Sequence, residues 1–362
     1  METIDTISQL LKSSQSQYRI FDMGRMVTKI SKESFDKIEK NQLAYPFPSQ
    51  GHAFIAISFW QPNSLQPYLW LLKLPLDEQG LLNQGARNHF IAIIVEALGK
   101  DLTQNPTEHQ ESLLKSNPYL YTPAQYKLAS LNSKLKYSLK SNFPNLSTKE
   151  SEHLAPFVKY LESEHYKEQW QQLGVQGICD FATLISQEIL VNEAIKKQSE
   201  YYTSLLIKAL SALPDEVMSP LCSALENEKL PVALIKALIN HLASSMESAP
   251  TASINSQLLR CLASSAEHVY VKQFIEFLLK NDQISQELLI VISGRCWLAL
   301  TSVPLVLTYF EQVVKHKDST LFKSIFRDMV AIPKMRVLAL QAIREPERSE
   351  ELSLSIGQLF SS

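Results

Sequence analysis

The side chains best able to do chemistry lie early in the chain. Asp22 and Arg25 flank a Met-Gly pair, Asp77 and Glu78 follow a proline, and Arg87, Asn88 and His89 are consecutive. Acid–base catalysis needs titratable groups that converge on one pocket, and these residues are the ingredients for one in the first hundred positions. Each also has a structural explanation. Asp22 and Arg25 can pair across a tight turn, Asp77 and Glu78 suit a helix N-terminus, and His89 fits a partly buried helix position. No nucleophile elbow, no H-E-x-x-H and no phosphate-binding loop accompanies them. Catalysis around Asp22, Arg25, Asp77, Arg87 and His89 is therefore an alternative reading, and no catalytic, cofactor or metal residue is assigned.

The cysteines and histidines point away from metal chemistry. Cys179, Cys222, Cys261 and Cys296 form no C-x-x-C pair and have no histidine at ligand spacing. Each falls in an apolar stretch, which predicts reduced, buried thiols in a cytoplasmic protein. His153 and His165 both sit in Ser-Glu-His triplets, but twelve residues of helix rotate one from the other by about 120°.

The elements that must position these groups follow from hydrophobic periodicity. Ile4, Ile7, Leu10 and Leu11 recur at helical spacing. Residues 18–22 and 26–30 then alternate around Met23-Gly24, which predicts a hairpin with a two-residue turn and Asp22 opposite Arg25. A capped helix should follow from Ser31 or Ser34 to about Asn41. A second hairpin pairs residues 52–60 with 68–74. With Trp60 opposite Tyr68, one face carries Ala53, Ile55, Ile57 and Phe59, with Leu69 and Leu71. The other carries Phe54, Trp60, Tyr68 and Trp70, an aromatic surface that needs a cover or a partner. Phe54, Trp60, Tyr68 and Trp70 are accordingly the candidate partner-binding residues. A helix over 81–98 completes the order α-β-β-α-β-β-α, an α+β head with an antiparallel four-stranded sheet.

The strings QYRIFDMGR (Gln17–Arg25), FIAISFW (Phe54–Trp60) and LKLPLDEQGLL (Leu72–Leu82), with Gly85-Ala86-Arg87-Asn88 after them, carry a resemblance. On them the chain is similar to a family of proteobacterial proteins of unknown function. The resemblance implies a bacterial, cytoplasmic protein and brings no activity, cofactor or partner.

Beyond the head the pattern turns helical. Residues 101–149 read as a helical connector, with six lysines and no acid between Ser112 and Lys149, and with Leu128, Leu131, Leu135 and Leu139 on one helix face. Lysines beside tyrosines could bind nucleic acid through Lys115–Lys149. Stems that snorkel over a core edge are the simpler explanation. The formal net charge of −2 gives no global support to nucleic acid or an anionic membrane. Phe143-Pro144-Asn145 marks the expected boundary with the tail.

Residues 150–362 show short amphipathic segments separated by Pro, Asn, Asp and Ser, among them 214–227, 231–245, 254–264, 269–279, 286–298, 304–315 and 321–331. Recurring Leu-Ala steps and cysteine intervals of 43, 39 and 35 residues suit stacked helix pairs of HEAT-like length. An irregular helical bundle is the alternative. The apolar run 288–310 approaches spanning length, but Arg295 and Pro304 interrupt it, which predicts two buried helices. The start of the chain lacks the basic and apolar regions of a signal peptide. The function that follows is a non-catalytic interaction or scaffold protein using the tail, the aromatic sheet face or both, with an unidentified protein partner.

Overall fold

The computed structural model describes residues 4–62, 67–99, 102, 107–140, 152–166, 168–186, 188, 193–247, 252–281 and 283–359. The chain forms two units, Met1–Ala124 with Ala331–Lys334, and Gln125–Val330 with Met335–Ser362. The stretch read as a connector is thus divided between them. The expected boundary at Phe143–Asn145 lies outside the described residues.

The first unit is the α+β head. Its order is α1 (Ile7–Ser13), β1 (Gln17–Asp22), β2 (Thr28–Ile30), α2 (Lys32–Glu39), β3 (His52–Trp60), β4 (Tyr68–Pro75), α3 (Gln84–Leu98) and α4 (Glu108–Lys115). The four strands form one antiparallel sheet ordered β2-β1-β3-β4. Local chemistry sets the helix starts. Thr6 with Gln9 makes a capping box on α1, Ser31 caps α2 through the Ser34 amide, and Asn83 caps α3 through the Ala86 amide. Lys73 and Leu71 on β4 exchange hydrogen bonds with Tyr119 and Tyr121, so a bridge from residues 119–121 extends that edge of the sheet.

Two registers differ from those expected. Phe59, not Trp60, pairs with Tyr68. A slip of one residue turns every β4 side chain to the other face. The reason is aromatic packing. Phe59 stacks on Tyr68 at 5.6 Å and lies 4.5 Å from Trp70, whose ring meets Phe90 of α3 edge-on at 5.5 Å. Tyr68 and Trp70 therefore join Ala53, Ile55, Ile57 and Phe59 on the core face, beneath the helices. Phe54 and Trp60 stay on the opposite face, so the four aromatics do not form one surface.

The second correction is the first turn. Ile20 pairs with Ile30, and Asp22 stands opposite Thr28 rather than Arg25, which leaves a five-residue loop from Met23 to Val27. Asp22 organises that loop: its carboxylate accepts from the amides of Gly24, Arg25 and Met26.

The second unit is all helix in its regular elements: α5 (Gln125–Lys140), α6 (Leu154–Ser163), α7 (Val175–Leu184), α8 (Glu193–Ala209), α9 (Asp215–Leu225), α10 (Val232–Glu247), α11 (Ala252–Cys261), α12 (Val269–Leu279), α13 (Gln286–Gly294), α14 (Val303–Val314), α15 (Ser319–Ala331), α16 (Pro333–Ala342) and α17 (Glu350–Leu359). Their packing is layered. Helices α5, α7, α9, α11 and α13 lie side by side in one row, and α6, α8, α10, α12 and α14 in a second. Near the end, Ser349 donates to Glu311 and ties the start of α17 to α14. The apolar run 288–310 is broken as expected, with α13 ending at Gly294 and α14 starting at Val303. Among the described residues no helix is long and apolar enough to cross a membrane.

The layering explains the cysteine spacing. Cys179, Cys222 and Cys261 fall on α7, α9 and α11, and Cys296 follows α13 by two residues, one for each successive helix of the first row. All four are free and buried. Burial pushes the Cys179 and Cys296 thiols up to about 12 and raises Cys261 as well. Because the thiolate is the reactive form, an aromatic disulfide reagent at pH 8 should leave native protein unlabelled and modify all four thiols in urea. Rapid labelling of the native chain would contradict this packing.

Candidate functional site

The polar residues singled out from the sequence are distributed over separate networks. Asp22 is fully buried. Its Oδ1 accepts from Tyr45 Oη at 2.6 Å as well as from the Gly24 amide, and its Oδ2 accepts from Arg25 and Met26. Burial pushes the Tyr45 hydroxyl pKa well above its usual value, and the neighbouring Asp22 carboxylate adds to the rise. Arg25 is also buried and donates its Nε to the Pro48 carbonyl. A β-carbon on Gly24 would stand 3.3 Å from Asp22 Oδ1, so glycine gives the loop its closeness.

Arg87 belongs to a second network. It donates to the Glu39 carbonyl and to Asn88 Oδ1. The buried Glu39 carboxylate accepts from the amides of Ile7 and Ser8 and from Ser8 Oγ, joining α2 to the N-terminus of α1. Asp77 makes a turn of its own by accepting from Gln79 and Leu81. It does not cap α3, which starts later at Gln84. His89 is exposed and meets the Tyr119 hydroxyl at 3.1 Å. None of these hydrogen bonds joins one network to the next.

Glu39 gives a pH signature. Burial raises its pKa above the usual glutamate value, and the hydrogen bonds from Ser8 and Ile7 and the Arg87 charge oppose that only in part. A raised folded-state pKa means that the folded chain binds more protons than the unfolded one just above the ordinary glutamate range. This contribution to stability is greatest at low pH and is lost as pH rises through the raised value. Glu39→Gln should flatten that part of the profile in denaturant titrations. An unchanged profile would remove Glu39 as its source.

The proposed partner-binding aromatics are placed as follows. Trp60 and Trp70 are buried, and Phe54 and Tyr68 are partly buried. Tyr121 meets Phe54 edge-on at 5.1 Å, Lys73 lies over the Phe54 ring, and Arg19 lies over Trp60.

The lysine-rich stretch points largely inward. Lys134 pairs with Glu228 at 2.9 Å with both side chains nearly inaccessible, Lys136 pairs with Asp180 at 3.3 Å, and Lys127 is buried. Lys115 pairs with Glu111 one helical turn away. The side chains of Lys140 and Lys149 lie outside the described residues. Further along, the buried Glu226 receives Arg260 at 2.9 Å and Arg295 at 3.4 Å, so one carboxylate ties α11 and the end of α13 to the residue that follows α9. Apart from Lys115–Glu111 within α4, these pairs connect helices of the first row, Lys134–Glu228 reaching past α7 and Arg295–Glu226 past α11.

The second row presents a different surface. Val232, Lys236 and Asn240 follow one another at helical spacing on α10, and Tyr270, Gln273 and Phe277 do so on α12. Lys236, Ile239, Asn240, Tyr270, Gln273 and Phe274 line a groove of about 330 Å³ between the two helices. Phe277 is 62% exposed and stacks beside Phe274, Val269 is 54% exposed, and Val232 is 45% exposed. Solvent-facing apolar side chains grouped around a groove mark a contact surface more strongly than scattered ones do. The sequence carried a signal for it. Residues 269–279 (VYVKQFIEFLL) are apolar on more of the helix circumference than burial against one neighbouring layer requires.

A family model described as a protein of unknown function, DUF3549, matches residues 2–360. No curated protein and no solved structure matches.

Proposed function

We propose that this chain, which belongs to the DUF3549 family, is a non-catalytic protein–protein interaction protein whose contact surface is the α10–α12 face. The observation that carries the reading is that Tyr270 lines the groove and the exposed Phe277 stacks beside its lining residue Phe274, with Val232 and Val269 exposed on the same two helices. The two helical rows support it, read as HEAT-like repeats, because stacked pairs offer extended surfaces for partners. The networks of the head support it too. Asp22 and Asp77 hold turns, and Arg25 and Arg87 donate to backbone carbonyls, so these candidates for catalysis have structural partners. Four free buried thiols suit a reducing compartment such as the cytoplasm.

The test is affinity purification from the native cell with wild type and with the double variant Tyr270→Ala/Phe277→Ser. Wild type should recover a partner in stoichiometric amount and the variant should lose it, with helix content and thiol protection unchanged. Equal recovery, or no partner with wild type, would overturn the reading.

A further inference from the structure

The α10–α12 groove is lined by three apolar and three polar side chains, one of them a lysine. Ile239, Tyr270 and Phe274 supply the apolar part, while Lys236, Asn240 and Gln273 contribute N–H donors. No carboxylate is among its described lining residues. The Lys236 ammonium stands 4.5 Å above the Tyr270 ring, which fixes a positive charge at the edge of the apolar floor. Among the described residues Lys236 pairs with no carboxylate.

From this juxtaposition we infer that the groove takes an amphipathic helical segment of a partner protein that carries an Asp or Glu beside its apolar face. The inference rests on the interaction reading above and names the chemistry of the partner. The apolar residues of the segment lie over Phe274, Ile239 and Phe277, and its carboxylate meets Lys236 with the Asn240 and Gln273 amides in support. Two adjacent helices leave a furrow into which a ridge of a third helix packs, which is a recurring mode of peptide recognition. The stripe from Tyr270 to Phe277 spans about 10 Å, so two to three turns of the partner suffice.

The test uses the full chain and a phage-displayed library of random peptides about 16 residues long. Selected sequences should combine apolar residues at three- and four-residue spacing with an adjacent Asp or Glu. A synthetic peptide of the winning sequence should bind Lys236→Glu at least about tenfold more weakly than wild type. Changing its acid to lysine should reverse that order. Enrichment without acids, binding indifferent to Lys236→Glu, or no enrichment would each overturn the inference. Self-association of the chain that Lys236→Glu weakens would also overturn it, by making a second copy the occupant. If the library fails while Tyr270→Ala/Phe277→Ser still abolishes partner recovery, the charge assignment falls and the interaction reading stands.

Discussion

Replacing Asp22 by alanine is expected to destabilise the head by about 3–4 kcal/mol, a large share of the 5–15 kcal/mol that folded domains generally hold. The carboxylate is the common acceptor for three successive backbone amides, those of Gly24, Arg25 and Met26, and for the Tyr45 hydroxyl. Buried donors left without an acceptor each cost about 1–3 kcal/mol, offset in part by relaxation and water entry. Tyr45 has a second acceptor in the Phe54 carbonyl at 3.2 Å, so the amides of the loop lose most. Asp22→Asn keeps one acceptor oxygen and should lose roughly half as much. Hydrogen exchange read by mass spectrometry isolates the effect. Amides of β1 and β3 should exchange two to three powers of ten faster in Asp22→Ala, since 1.4 kcal/mol corresponds to a factor of ten. Helices α10 to α14 should keep their protection. An unchanged β1 would show that the loop does not depend on its carboxylate.

A comparable loss is expected from a single methyl group at Gly177. A β-carbon there would lie 2.0 Å from the His153 carbonyl oxygen and 2.7 Å from its carbon, so no side-chain adjustment relieves it. The N-terminus of α6 has to retreat from α7 by more than an ångström. That movement opens the contact in which Phe157 and Phe181 meet edge-on with centroids 5.0 Å apart. Overpacking of a close-packed interior costs about 1–3 kcal/mol where side chains can yield. With backbone as the obstacle, Gly177→Ala should lie at or above the upper end. Gly294→Ala is the matched control, because its β-carbon would meet nothing within 4 Å. It should be neutral or slightly stabilising through the unfolded chain. Urea denaturation followed by helix content checks both, and similar midpoints for the two variants would refute the steric argument.

The elements of this chain were more legible than their pairings. Apolar periodicity over residues 269–279 gives a helix with the bounds that α12 has. The strands were equally visible, since alternation over 52–60 admits little else. Register was not, because seven residues separate Trp60 from Tyr68 and no short turn fixes the pairing. Only the stacking of Phe59 on Tyr68 and the fit of Trp70 against Phe90 decide it. The loop after Asp22 misled for a related reason. Met-Gly resembles a two-residue turn, but a carboxylate that gathers three amides favours a wider one. The inward lysines are legible in part, since lysine stems flanking the leucine face of a helix can cover a core edge. Their carboxylate partners at Asp180 and Glu228 lie more than forty residues away and carry no local mark. The α10–α12 surface is marked in the sequence only by the apolar breadth of residues 269–279, and apolar residues on a helix are ordinarily core. Which of them face outward depends on which helices form the second row, and that is a property of the tertiary packing.

The central claim is that this outward face meets a protein partner, and site-specific photo-crosslinking in the native cell tests it most directly. A photoreactive residue at position 277 should give one discrete adduct heavier than the chain. The same residue at position 354, where Leu354 is 70% exposed on α17, should give none. Adducts of equal pattern from both positions, or none from 277, would contradict the assignment of the α10–α12 face.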